Sequence, residues 1–187
     1  MPSARHVAVL QRRPLQRAAA VSPLTLRAGR ADEHAALTAL ARRAKAHWGY
    51  PSDALARWRD ELTVTRAAIV SLPTVVAECD GAVVGFFQLR LDGAGAALEH
   101  LWVQPQQMGH GIGRTLLQRA LDNTRAAGHD RLCIDADPHA EAFYRACGAV
   151  RVGEVAAPIA GQPQRVRPQM VLAAVRHHAA DADAPLR

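Results

Sequence analysis

Between Leu98 and Leu121 the sequence reads Leu-Glu-His-Leu-Trp-Val-Gln-Pro, then Gln-Gln-Met-Gly-His-Gly-Ile-Gly-Arg, then Thr-Leu-Leu-Gln-Arg-Ala-Leu. Gly109, Gly111 and Gly113 alternate where Ile112, Leu116 and Ala120 begin to recur at the spacing of one helix face. Glycines at such a start remove the Cβ atoms that would hold a ligand away from the backbone. The first N–H groups of a helix lack partners within it and sit at the positive end of its dipole. The chemistry this pattern predicts is the binding of phosphate or pyrophosphate. Gly113 is followed by Arg114-Thr115 and not by Lys-Ser/Thr after a four-residue gap, so the turn is not a P-loop. The order G-x-G-x-G also departs from the dinucleotide fingerprint G-x-G-x-x-G.

A second segment follows. Leu132-Cys133-Ile134-Asp135-Ala136-Asp137 reads as a strand, and Pro138 to Gly148 as a short helix stopped by glycine. The first turn resembles the acetyl-CoA loop of the GNAT N-acetyltransferases, Q/R-x-x-G-x-G/A, met by Gln106, Gly109 and Gly111. The second segment is similar to that family's strand, Asn-x-x-A and Phe-Tyr-x-x-x-Gly-Phe, met by Phe143, Tyr144 and Gly148. Asp137 stands where Asn is common, and Ala149 where Phe is usual. The resemblance covers Leu24 to Val175.

The resemblance implies an α/β GNAT acyltransferase fold, with a mixed central sheet of about six to seven strands flanked by about four helices. It implies acetyl-CoA as cosubstrate and no metal. The pantetheine would lie along the backbone of Leu101, Trp102 and Val103. The pyrophosphate would rest on Met108, Gly109, His110, Gly111, Ile112, Gly113 and Arg114, with Asp137 and Phe143 beside the cofactor. Acetyl would pass directly to the amine of a small molecule or peptide. That needs a base for the ammonium and a donor for the leaving thiolate. Strand parity puts Glu99, Leu101 and Val103 on one side, and Leu98, His100 and Trp102 on the other. Glu99 is the expected base, His100 the alternative, and Tyr144 the expected acid. In the family the acceptor pocket forms where the first two helices join, here Lys45-Ala46-His47-Trp48-Gly49-Tyr50-Pro51, and Trp48 and Tyr50 are the expected substrate contacts through cation–π geometry. The alternative reading is a non-catalytic acyl-CoA-binding sensor of the same fold.

The elements that must position these residues are legible in outline. Leu24–Arg27 reads as a first strand, and 32–46 as a helix with Asp32 as N-cap. A second helix starts near Ser52-Asp53. Val75–Cys79 and Val83–Leu89 flank Asp80-Gly81, a strong hairpin signal. Strands near Arg151–Val155 and Gln169–Ala174 close the chain around the loop Pro158–Pro163. Residues 1–23 read as a basic, disordered extension, 24–175 as one domain, and 176–187 as a frayed tail.

The 187 residues carry a net charge of +6, yet all of that excess falls on arginines before the first acid, Asp32. The body is neutral, which argues against a nucleic-acid partner. Lys45 is the only lysine. No apolar run approaches the roughly 18–20 residues of a membrane helix. Cys79, Cys133 and Cys147 lack metal-ligand spacing and fit a reduced, cytoplasmic setting. A homodimer is compatible with all of this.

Overall fold

Alternating apolar residues build one seven-stranded sheet from the described residues, 23–174, of the computed structural model. The chain runs through β1 (Thr25–Ala28), α1 (His34–Ala46), α2 (Ser52–Arg57), α3 (Arg66–Ser71), β2 (Thr74–Cys79), β3 (Ala82–Asp92) and β4 (Gly95–Val103). It continues through α4 (Ile112–Ala126), β5 (Arg131–Asp135), α5 (Glu141–Ala146), β6 (Val150–Ala156) and β7 (Val166–Ala173). The strand order is β1-β2-β3-β4-β5-β7-β6. Only the β4–β5 pair is parallel. Five α-helices and seven strands among the described residues agree with the expected α/β class. The expectations for 1–22 and for 175–187 lie outside those residues.

Adjacent strand residues feed opposite faces of the sheet. Phe87 and Ala77 join α4 and α5 in one core, through Leu116, Leu117, Ala120 and Tyr144. Phe86 and Val76 join α1 and α3 in the other, through Leu37, Leu40, Ala41 and Ile69. A smaller cluster of Tyr50, Ala54 and Ile159 extends the second face. The Asp80-Gly81 hairpin forms as expected, with both residues at positive φ (51° and 76°) and Cys79 opposite Ala82. No helix among the described residues is long and apolar enough to cross a membrane.

The break in the sheet positions the site. β4 and β5 are paired only through Ala97–Cys133 and Leu98–Ile134, and then they diverge. Two local features accompany the divergence. Gln88 of β3 pairs with His100 and Leu89 with Leu98, so Glu99 is an extra residue in β4. Such a bulge bends its strand. The end of β5 is held from the other side, where the Ala136 N–H donates to the Pro168 carbonyl at 2.9 Å.

The structure corrects three readings and adds one helix. The bulge breaks the simple parity: Leu98 packs in the α4 core with Leu101 and Val103, while Trp102 packs on the α1 side. Asp32 is exposed and caps nothing. Glu33 does that work, its carboxylate accepting the Arg30 N–H at 2.7 Å and the Arg27 guanidinium at 2.7 and 3.0 Å. The strand expected to reach Asp137 ends at Asp135, because Pro138 opens a 3₁₀ turn that Asp137 caps. The short helix α3 carries too few residues for a periodic signal, although Thr65 caps it by accepting from the Ala68 N–H at 3.0 Å.

Candidate active site

The glycine turn delivers α4 to the α4–α5 face of the gap. Gly109 and Gly111 have φ near +81° and +82°, a region that side chains with a Cβ rarely adopt. A Cβ at either position would meet nothing within 4 Å, so the space above the turn is open. The first in-helix partner belongs to Thr115, whose N–H donates to the Gly111 carbonyl at 3.0 Å. The N–H groups of Ile112, Gly113 and Arg114 precede that bond and are left for a ligand. Gly113 has another purpose: a Cβ there would lie 3.3 Å from the Phe143 ring. Phe143 therefore buttresses the turn from α5. His110 is exposed, with Nδ1 3.0 Å from the Met108 carbonyl. The Arg114 guanidinium, also exposed, reaches toward the Ala146 carbonyl at 3.5 Å. Leu101, Trp102 and Val103 pair with β3 on one edge and have no strand partner on the β5 side.

The expected catalytic groups sit around the same gap in different environments. Tyr144 is buried, and its hydroxyl has no hydrogen-bond partner among the described residues. Burial, with the charge of Asp137 nearby, raises its pKa well above the ordinary value and keeps the phenol protonated. Glu99 is 41% exposed at the bulge and pairs with Arg90 at 3.0 Å. His100 faces the α1 side against Phe86, and its Nδ1 accepts the Trp102 indole N–H at 3.0 Å. Burial pushes the His100 pKa down to about 4. A neutral ring whose Nδ1 is already accepting a bond is a poor base.

Asp137 and Tyr50 have partners other than those the resemblance implies. The Asp137 carboxylate faces the end of α1 and not the glycine turn. It pairs with Lys45, accepts the Tyr50 hydroxyl at 2.8 Å and the His139 N–H at 2.9 Å, and lies 3.7 Å from Arg165. Burial works against its ionisation, but Lys45 and these hydrogen bonds overcome it and hold the carboxyl below the usual range. Burial also lowers the Lys45 pKa and pushes Tyr50 up to about 12. The Lys45 ammonium lies 4.4 Å from the Trp58 ring centre and 4.9 Å from that of Tyr50. Arg165 lies 5.1 and 5.2 Å from the same two rings. The cage expected from Trp48 and Tyr50 is built instead from Tyr50 and Trp58, and these two rings already face two of the chain's own cations. Trp48 stacks on His139, with ring centres 5.2 Å apart, at the outer side of this cluster. Trp58, Lys45, His139 and Arg165 went unread as site residues. Of these only Lys45 lies in the Lys-x-x-Trp-Gly-Tyr run, and the fold brings the other three to it.

A family model described as the acetyltransferase (GNAT) family matches residues 35–149, and the chain belongs to that family. The aminoglycoside N(6')-acetyltransferase type 1 of Stenotrophomonas maltophilia is 37% identical over 101 residues. That match covers 48% of this chain and 66% of the relative, just under two thirds of its length. Among solved structures, a GCN5-related N-acetyltransferase from Rhodopseudomonas palustris superposes with a TM-score of 0.68 at 23% identity, covering 82% of this chain and 98% of that one. The PaiA N-acetyltransferase of Thermoplasma acidophilum, solved in complex with coenzyme A, gives 0.63 at 19% identity, covering 80% and 98%. These two likenesses bear on the fold.

The buried His100 makes stability depend on pH with a definite sign. Its folded pKa of about 4 lies below the ordinary 6.5, so the unfolded chain binds more protons between those values. Its contribution is present above about pH 6.5 and is lost as pH falls through 4, on the order of 3 kcal/mol in all. Chemical unfolding at stepped pH should show this slope, and His100→Gln should flatten it. An unchanged slope in the variant would mean that His100 titrates normally.

Proposed function

We propose that the chain is an acetyl-CoA-dependent N-acetyltransferase that passes acetyl directly to the amine of a small molecule or peptide. The observation that carries this reading is the unpaired β5-side edge of β4 beside a glycine turn with open space above it. The residues fit the cofactor. The backbone of Leu101–Val103 offers N–H and C=O groups to the pantetheine amides, and the N–H groups from Gly109 to Arg114 suit a pyrophosphate, while that of Met108 already donates to the Pro105 carbonyl at 3.3 Å. When bound, acetyl-CoA would supply the activated thioester and the acceptor amine the nucleophile, while positioning and proton transfer fall to the chain. The aminoglycoside-acetylating relative supports an amine as acceptor.

In this reading Glu99 takes the ammonium proton, directly or through water. It stands at the first position beyond the last β4–β5 pair, open to solvent. Tyr144 donates to the departing thiolate, with a hydroxyl that has kept its proton and has no competing partner. The Glu99–Arg90 ion pair favours the second reading, a non-catalytic acyl-CoA sensor, because it occupies the base. Thiol release from acetyl-CoA with amines, polyamines, amino acids, aminoglycosides and peptide N-termini separates the two. Release above the acceptor-free rate supports transfer, and bound coenzyme A with no release from any acceptor supports the sensor.

Three substitutions test the parts. Gly111→Val forces a branched side chain into left-handed backbone at the pyrophosphate's approach, and should weaken coenzyme A binding by about tenfold or more (about 1.4 kcal/mol) by calorimetry. Unchanged affinity in a folded variant removes the turn from the site. Tyr144→Phe should lower kcat with little change in the coenzyme A Kd, since only the hydroxyl is lost. Full activity across neutral pH would leave Tyr144 as packing alone. Glu99→Gln should slow transfer by about 10²–10⁴-fold, most strongly below the acceptor's pKa. A parental rate and pH profile would make Glu99 structural.

A further inference from the structure

The Lys45–Tyr50–Asp137–Arg165 cluster stands on the α1 side of the gap, opposite the face that carries the glycine turn. It joins the end of α1, the end of β5 and the loop before β7. If the cofactor occupies the α4 face, as the proposed function holds, an acceptor must come from this side.

Counting donors and acceptors shows that the cluster is incomplete. Lys45 has three N–H donors, and one is taken, by Asp137. The Arg165 side chain is only 4% exposed. It donates to the Ala157 carbonyl at 3.0 Å and to the Tyr50 hydroxyl at 3.3 Å, but its Nε is buried without a partner. The Arg167 Nε nearby is buried without a partner as well. The acceptors are already engaged: both Asp137 oxygens and the Tyr50 hydroxyl take hydrogen bonds within the cluster. The charges give the same imbalance, with two buried cations facing one buried carboxylate. Glu61 and Asp135 lie at the exposed rim, where they pair with Arg167 at 3.9 and 2.9 Å. Glu61 still acts on Lys45, but more weakly than Asp137 or Arg165 do, so it offsets the buried surplus only in part.

A buried surplus of donors and positive charge is costly unless something answers it. The group that answers it accepts hydrogen bonds, donates none and carries negative charge. We propose that Lys45 and Arg165 form a carboxylate-recognition subsite, so that the acceptor is an amine that also carries a carboxylate, such as an amino acid, and not a polycation. The cation–π positions at Tyr50 and Trp58, which would otherwise suit a polyamine or an aminoglycoside ammonium, are filled by Lys45 and Arg165 themselves. This rests on the transferase reading and narrows its substrate class.

The test uses the wild-type chain saturated with coenzyme A. Each common amino acid and its matched carboxamide is titrated in, with binding read by calorimetry, and acetyl-CoA thiol release is then measured with the same pairs. At least one acid should bind about tenfold or more tightly than its amide, with the same preference in kcat/KM. Arg165→Gln should bring that ratio to about one, and Arg165→Lys should restore part of it. The proposal is overturned if no acid binds better than its amide, or if spermidine or an aminoglycoside outcompetes every acid. Failure of the wild-type chain to bind coenzyme A at all would instead strike at the transferase reading.

Discussion

The separation of two parallel strands after only two paired residues is the constraint on which the rest depends. A backbone N–H or C=O left without a partner away from water costs about 1–3 kcal/mol, so such a gap does not persist unless each side is held elsewhere. On the β4 side the extra residue Glu99 bends the strand while its pairing with β3 continues. On the β5 side the chain crosses to β7 through Ala136 and Pro168. The two helical faces then approach the opening from opposite directions, one with a glycine turn and the other with a buried set of ionic side chains.

That ionic set also ties distant parts of the fold together. Arg165 holds the β6–β7 loop through the Ala157 carbonyl and reaches Tyr50 from the α1–α2 connection. Asp137 caps its own 3₁₀ turn while pairing with Lys45. Removing one partner from such a network leaves an uncompensated buried charge, typically worth 3–5 kcal/mol. Its geometry is therefore set by the folding of the whole α1 side of the sheet and not by local sequence.

Features encoded by neighbouring residues were legible in the sequence. The glycine turn, the Asp80-Gly81 hairpin and the face of α4 all follow from spacings of a few positions. The bulge was not legible, because an extra residue in β4 exists only relative to β3, and it reversed the parity argument for Leu98. The ionic cluster was legible only as a run of unusual residues around Trp48. Lys45 and Asp137 are 92 positions apart, and Arg165 and Tyr50 are 115 apart. Asp137 was read from its place in a motif, but its orientation is decided by a lysine that the motif does not contain.

The same lysine has a consequence for the chain as a chemical object. Lys45 is its only ε-amine, and every other basic residue outside histidine is an arginine. Guanidinium groups stay protonated and do not compete as nucleophiles for a thioester. The single ε-amine that could compete is buried and paired with a carboxylate. A protein that handles an activated acyl group thus presents no exposed lysine of its own to be acylated. An amine-reactive label would find few targets on the native fold, and its arrival at Lys45 would report the opening of the α1 side.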